Sequence, residues 1–305
     1  MSGFVKRSTT KRRLEPEGNV VLHGAGQSPE AFRSYYALLS PTVPCLYMTY
    51  IGLGSRNVED WLLGLDEELR CYKTSPVPQI GLSMTKDGEP WNHYDQRVAT
   101  GEFDENIERL CAGLAKLGRP VFIRLGYEFN GEWNGYEPEG FRRSWIRVWN
   151  ALRRHGLDDV ALVWCYAPDA EMTADHRPFY PGDEYVDWWS VDLFSTRDFF
   201  SPKVHRFLDE AEERRFPVMI GETAPRYVGV EKGIYSWDQW FQPYFSLIHA
   251  RPCIKATCYI NWNWAMYPQW LDWGDSRIGE NHEVLSRYRR EMAMPWYGHG
   301  SVDGN

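Results

Sequence analysis

The feature that most constrains this chain is a repeat. Short apolar, β-branched runs recur along it eight times, and amphipathic or loop-like stretches separate them. The runs are "NVVLH" (19–23), "CLYMTY" (45–50), "QIGLSM" (79–84), "PVFIRL" (120–125), "VALVWCY" (160–166), "VDWWSVDLF" (186–194), "PVMIG" (217–221) and "IKATCYI" (254–260). Runs of this length bounded by turn residues read as strands buried on both faces. Helical patterns fall between them at 28–39, 58–72, 103–118, 138–156, 201–215, 236–250 and 281–293. The first opens with Ser28 as an N-cap and Pro29 at the first helical position, which pre-sets the backbone for a helix. Between the fifth and sixth runs the sequence reads as loop.

Alternating strand and helix eight times predicts a single-domain (β/α)8 TIM barrel over residues 19–293. Residues 1–18 then form a disordered basic N-terminal tail and 294–305 a C-terminal tail. The competing fold is an open doubly wound sheet, which would place a G-x-G-x-x-G turn after its first strand. "HGAGQ" (23–27) has two glycines and lacks the third.

Composition excludes several classes of function. A net charge of −8 opposes a nucleic-acid groove, and the basic residues Lys6, Arg7, Lys11, Arg12 and Arg13 are too few and too local to reverse that. No apolar span reaches the length that crosses a membrane. No secretory leader is visible, so the sequence as written reads as cytoplasmic, or as secreted if a leader has been removed. The six cysteines form no CxxC pair and read as buried thiols. Eight scattered histidines lack H-x-x-x-H spacing, and no G-x-S-x-G turn occurs, so neither a metal, a cofactor nor a serine nucleophile is expected. Oligomeric state leaves no mark in the pattern. Aromatic residues, by contrast, make up 15% of the chain, with 15 Trp and 18 Tyr. Many fill a core, but aromatic faces also stack on the C–H faces of sugar rings, and a carbohydrate partner suits this surplus.

In a barrel the reactive groups sit at the C-terminal ends of the strands. That rule selects His23, Gln27, Tyr50, Ser83, Arg124, Glu128, Asn130, Tyr166, Asp192, Glu222, Arg226, Tyr259, Asn261, Trp262 and Trp264. Two carboxylates stand just beyond apolar strands: Glu128 in "VFIRLGYEFNGEWNGY" (121–136) and Glu222 in "PVMIGETAPR" (217–226). A pair of opposed carboxylates is the minimum equipment for cleaving a glycosidic bond, one protonated and one ionised. Structural roles compete with this reading. Glu128 could pair with Arg124, or Arg124 could run beneath the site and hold another carboxylate ionised; Glu222 could pair with Arg226. His23 and Gln27 suit a polar rim contact to sugar hydroxyls, or a satisfied loop. Trp91 and His93 in "EPWNHYDQR" (89–97) read first as packing. The four Trp of "NWNWAMYPQWLDWGDSR" (261–277) read as a sugar platform, and Asp192 and Asp198 as hydrogen-bonded loop residues.

"RPVFIRLGYEFNGEWNGY" (119–136) resembles the acid/base motif of glycoside hydrolase family 26, the clan A family of β-mannanases, with Arg124, Glu128, Asn130, Gly131 and Trp133 at matching positions. "GEFDENIERLCAGLAKLGRPV" (101–121) is similar to the helix before that strand. "YPGDEYVDWWSVDLF" (180–194) is similar to the segment entering strand six. The resemblance covers roughly 78–264. It implies that Glu128 is the general acid/base and Glu222 the nucleophile of a retaining, endo-acting hydrolase. It further implies that Arg124 keeps Glu222 ionised, that Trp133 lines a sugar subsite, and that Trp262 floors the sugar being cleaved. Tyr127, Asn130, Tyr166, His23 and Trp264 complete the expected binding set. Two positions depart from the family: Tyr127 replaces a His, and Phe194 replaces a Tyr that donates to the nucleophile, with Tyr127, Tyr166 or Tyr259 as substitutes. The expected substrate is a β-mannan-type chain, then β-1,3-xylan or mixed β-glucan. A catalytically weak glycan-binding barrel, and the same chemistry on a modified or acidic glycan, stand as alternatives.

Overall fold

A computed structural model describes residues 11–86, 89–170 and 175–300. Eight parallel strands close into a barrel: β1 (Val21–Gly26), β2 (Leu46–Gly52), β3 (Val77–Ser83), β4 (Val121–Leu125), β5 (Val160–Tyr166), β6 (Trp188–Leu193), β7 (Val218–Thr223) and β8 (Ile254–Ile260). Each pairs with its sequence neighbours, and β1 bonds to both β8 and β2, so no edge is left open. The helices are α1 (Pro29–Leu39), α2 (Val58–Arg70), α3 (Asp95–Ala99), α4 (Asp104–Leu117), α5 (Pro138–Arg154) and α6 (Pro202–Arg214). After β7, α7 (Ile234–Ser236) runs through a π-helical stretch, Trp237–Phe241, into α8 (Gln242–Ala250), and α9 (His282–Met292) follows β8. All eight expected strands are present. Between β5 and β6 the described residues hold only two single turns, Arg177–Phe179 and Asp183–Tyr185, in keeping with the loop read there.

Strand alternation divides the core in two. Outward side chains such as Ile80, Ile123, Leu162 and Ile220 meet the amphipathic faces of the helices. Inward ones such as Leu22, Leu46, Phe122, Trp188 and Met219 fill the lower barrel. The helix starts are capped as their sequences require: the Ser28 hydroxyl accepts from the Ala31 amide at 3.2 Å, and that of Ser201 from the Lys203 amide at 3.3 Å. Gly118, at φ +60°, ends α4 in the left-handed conformation that glycine adopts without strain.

Both ends of the chain differ from the sequence expectation. Residues 11–18 are not a free tail but lie across the N-terminal mouth of the barrel. Arg13 pairs with buried Asp187 at 2.8 Å, and its carbonyl accepts from the Trp188 indole at 2.7 Å. Leu14 packs on the interior apolar cluster, and Lys255 donates to the Gly18 carbonyl at 2.5 Å. Arg12 and Arg13 therefore have partners on the barrel, while Lys11 pairs with Glu17 within the segment. Lys6 and Arg7 lie outside the described residues. At the other end a ninth strand, β9 (Tyr297–Gly298), pairs with the start of β1, below the point where β1 meets β2. Two residues are too short a run to announce a strand by periodicity.

Candidate active site

The backbone after β4 sets up the first carboxylate. Gly126 and Glu128 both adopt φ of +52°, and for a residue with a Cβ that conformation costs about 1–2 kcal/mol. Anchors on either side enforce it. The Phe129 ring is buried and stacked on Trp164 at 4.5 Å. The Asn130 amide donates to the Ala167 carbonyl at 2.7 Å, and its oxygen accepts from the Ala167 amide at 2.9 Å. The Asn134 side chain donates to the Tyr127 and Glu128 carbonyls, both at 3.0 Å. Strain concentrated at one carboxylate and held by its neighbours is a mark of a functional position. The Trp133 indole donates to Glu128 Oε2 at 2.6 Å. Burial raises the Glu128 carboxyl well above the usual range, and the nearby charges of Asp192, Glu222 and Asp169 raise it further against the pull of Arg124.

The second carboxylate has the opposite setting. Arg124, fully buried in the barrel, donates from Nη1 to Glu222 Oε1 at 2.7 Å. From Nη2 it reaches Asp192 and, at 3.1 Å, the Cys165 sulfur. Arg124 thus ties together β4, β6 and β7 and serves two acids at once. Burial raises the Asp192 carboxyl, but the Arg124 guanidinium paired with it favours the charged form. Only glycine fits at 221: a Cβ there would lie 2.7 Å from each of Arg124 Nε, Asp192 Oδ1 and Ser190 Oγ. Gln79 donates to the Gly221 carbonyl at 3.2 Å and fixes the strand from across the barrel. The Tyr127 ring lies 5.1 Å from the Arg124 guanidinium carbon and 5.7 Å from the Tyr50 ring.

Glu128 and Glu222 line one cavity of about 750 Å³, walled by Trp133, Phe194, Trp264, Trp270 and Trp273. Its acidic members, Glu128, Glu132, Asp169, Glu222 and Asp272, outnumber Arg197 and Arg226. Arg226 does not pair with Glu222. It donates to Asp272 at 2.7 and 2.9 Å, lies 3.7 Å from Asp169, and sits 4.7 Å from both the Tyr227 and Trp273 rings.

Residues 91–208 match the model of glycosyl hydrolase family 26. A β-1,3-xylanase of Alcaligenes sp is 27% identical over 315 residues, which span 93% of this chain and 66% of that protein. The chain therefore covers just under two thirds of that relative. The β-1,3-xylanase TXYA of Vibrio sp is 24% identical, over 96% of this chain and 71% of its own length. The barrel superposes with a TM-score of 0.67 on a Cellulomonas fimi endo-β-1,4-mannanase double mutant, at 16% identity, covering 94% of this chain and 73% of that one.

Within this barrel, Arg124, Tyr127, Glu128, Trp133, Glu222 and Trp264 gather at the C-terminal end. Trp262 directly follows β8, half-buried on the interior cluster, with its ring parallel to that of Tyr267. Asn130 braces the Glu128 turn rather than opening toward the cavity. His23 and Tyr166 are corrections, because both point outward into the helix layer. His23 contacts the Tyr35 hydroxyl at 2.7 Å and His299 at 3.2 Å. Tyr166 stacks on Phe207 of α6 at 5.1 Å. One residue of register along a strand exchanges inside for outside, and "end of strand" does not specify which. Tyr259 likewise points away and donates to the Ser276 carbonyl at 2.6 Å, so among the described residues neither it nor Tyr166 replaces the donor that Phe194 lacks. Asp198 is the loop residue it was read as, accepting from the Phe194 and Ser195 amides at 3.0 and 2.7 Å. His93 pairs with buried Asp95 at 2.6 Å, whereas Trp91 is 73% exposed and does not pack. Sequence reasoning read Asp192 as a hydrogen-bonded loop residue, whereas it lies in β6 and pairs with Arg124, and it passed over Asp169 and Tyr227. The Trp-rich run did signal Trp270 and Trp273.

Among the described residues no cluster of His, Cys, Asp or Glu is arranged to hold a metal ion, and no helix is long and apolar enough to cross a membrane.

Proposed function

We propose that the chain is a retaining, endo-acting glycoside hydrolase that cleaves an uncharged β-linked polysaccharide, with Glu128 as acid/base and Glu222 as nucleophile. The observation that carries this is the unequal setting of two glutamates on one cavity. Glu128 is held toward its protonated form by burial and by other acids. Glu222 accepts from a buried guanidinium, the natural partner of a carboxylate. In the first step a Glu222 oxygen attacks the anomeric carbon while Glu128 gives its proton to the departing glycosidic oxygen. In the second, Glu128, now a carboxylate that accepts from the Trp133 indole, takes a proton from water. That water attacks the same carbon and frees Glu222. Double displacement of this kind wants the two carboxyl groups about 5–5.5 Å apart.

β-1,3-xylan is the substrate we favour, ahead of β-mannan and mixed β-glucan, because β-1,3-xylanases align over more than nine tenths of this chain. An acidic glycan is the weaker reading. Acids outnumber arginines in the cavity lining five to two, and the charge of Arg226 is already met by Asp272 and Asp169. A barrel that binds glycans without cleaving them has in its favour the Tyr127 and Phe194 departures.

Glu128→Gln and Glu222→Gln, compared with the parent on β-1,3-xylan, β-1,4-mannan, mixed β-glucan and glucuronate-bearing xylan, test the reading. Each variant is expected to lose about 10²–10⁴-fold in rate. Rates matching the parent's would refute the assignment, and preference for the uronate polymer would refute the uncharged substrate.

A further inference from the structure

Tyr227 occupies a backbone conformation that is costly for a tyrosine. Its φ is +68°, in the left-handed region that bulky side chains avoid. The conformation is imposed from both sides. The Tyr227 amide donates to the Asp272 carbonyl in the loop after β8 at 2.9 Å, and the Arg226 amide donates to the Phe194 carbonyl at the end of β6 at 3.2 Å. Gly229, at φ +66°, and its bond to the Pro225 carbonyl at 2.8 Å complete the turn.

The strain does not bury the ring. Tyr227 is 55% exposed, its hydroxyl makes no hydrogen bond among the described residues, and it lines the cavity that holds Glu128 and Glu222. Supporting Arg226 is not a sufficient reason for it either. That guanidinium is already fixed by two bonds to Asp272 and by the Trp273 ring on which it rests. What remains is a ring held out over the cleft on a rigid base: Tyr227 on Arg226, and Arg226 on Trp273. Backbone strain kept at a cavity wall without packing in return is the signature of a side chain placed for a ligand.

We propose that Tyr227 is the stacking face of a sugar subsite in the cavity that holds Glu128 and Glu222, and that the Arg226–Asp272 pair is its positioning base. The inference rests on the hydrolase reading above. It adds a binding residue that no motif indicated, and it makes stability and affinity move in opposite directions at one position.

Tyr227→Asn tests this, because asparagine tolerates the left-handed region far better than tyrosine. Binding of β-1,3-xylotetraose and of β-1,4-mannotetraose is measured by calorimetry in the Glu222→Gln background, with and without Tyr227→Asn, alongside thermal melts. The Asn variant is expected to melt higher and to bind about tenfold more weakly, the size of an aromatic contact of roughly 1.4 kcal/mol. Tyr227→Phe should bind like the parent. Equal affinity with and without the ring, absent binding in both included, overturns the proposal. A fall in both melting temperature and affinity overturns it too, since Tyr227 would then be structural. The hydrolase reading fails separately, if Glu222→Gln still cleaves polymer at the parent's rate.

Discussion

Asp192→Asn removes one negative charge from the centre of the site while keeping shape and a hydrogen-bond acceptor. The parent holds one guanidinium between two acids, with Arg124 and Asp192 fully buried and Glu222 nearly so. Breaking a buried pair by deleting one partner typically costs about 3–5 kcal/mol. Here Glu222 remains on Arg124 at 2.7 Å and the amide oxygen can still accept, so about 2–3 kcal/mol of unfolding free energy is the expected loss, measured by urea denaturation. The effect on catalysis is more diagnostic. After burial, the Asp192 charge is the largest contribution raising the Glu128 carboxyl. Neutralising it lets Glu128 lose its proton at lower pH. The alkaline limb of kcat/KM, which reports deprotonation of the acid in the free enzyme, is therefore expected to move toward acid. The assay is a pH profile of kcat/KM on β-1,3-xylan for parent and variant, with Asp198→Asn as a control in the neighbouring loop. An unmoved alkaline limb, or one displaced upward, would refute the claim that the surrounding acids keep Glu128 protonated.

Gly221→Ala should cost about 1–3 kcal/mol as an overpacked core substitution and depress kcat, because its Cβ meets Arg124, Asp192 and Ser190 together; a melt within a degree of the parent's would contradict this. The buried His23–His299 contact predicts acid sensitivity. Burial lowers both imidazoles, His23 strongly, so the unfolded chain takes up protons first. Their contribution is fully present above the unfolded value of about 6.5 and is lost as pH falls through the folded values. His23→Gln should therefore flatten the slope of stability against pH below about 6.5, and an unchanged slope would exclude His23 as its source.

The strands were legible because burial on both faces leaves a continuous apolar run, as in "VALVWCY", and because α1, α6 and α9 open on a capping side chain and α4 ends on Gly118. Glu128 and Glu222 were legible for a related reason: each is the first carboxylate after such a run. The facing of residues inside the run was not. His23 and Tyr166 sit in strands whose side chains alternate between barrel and helix layer, and a strand that is apolar throughout carries no contrast to show which parity points in. The role of Asp192 was hidden because its partner is Arg124, 68 positions away in sequence and on another strand. Residues 11–18 were misread because local charge suggests solvent, while their partners, among them Asp187 and the Trp188 indole, are more than 170 residues distant. Tyr227 left no sequence signal, since nothing about a tyrosine after an arginine announces a positive φ.

The central claim is that Glu222 attacks carbon while Glu128 handles the proton. Proton NMR of the first-formed reducing end, taken before mutarotation, tests it most directly. Cleavage of β-1,3-xylotetraose through a Glu222 intermediate must release the β-anomer first. Initial appearance of the α-anomer would mean a single displacement by water and would remove the nucleophile's role from Glu222.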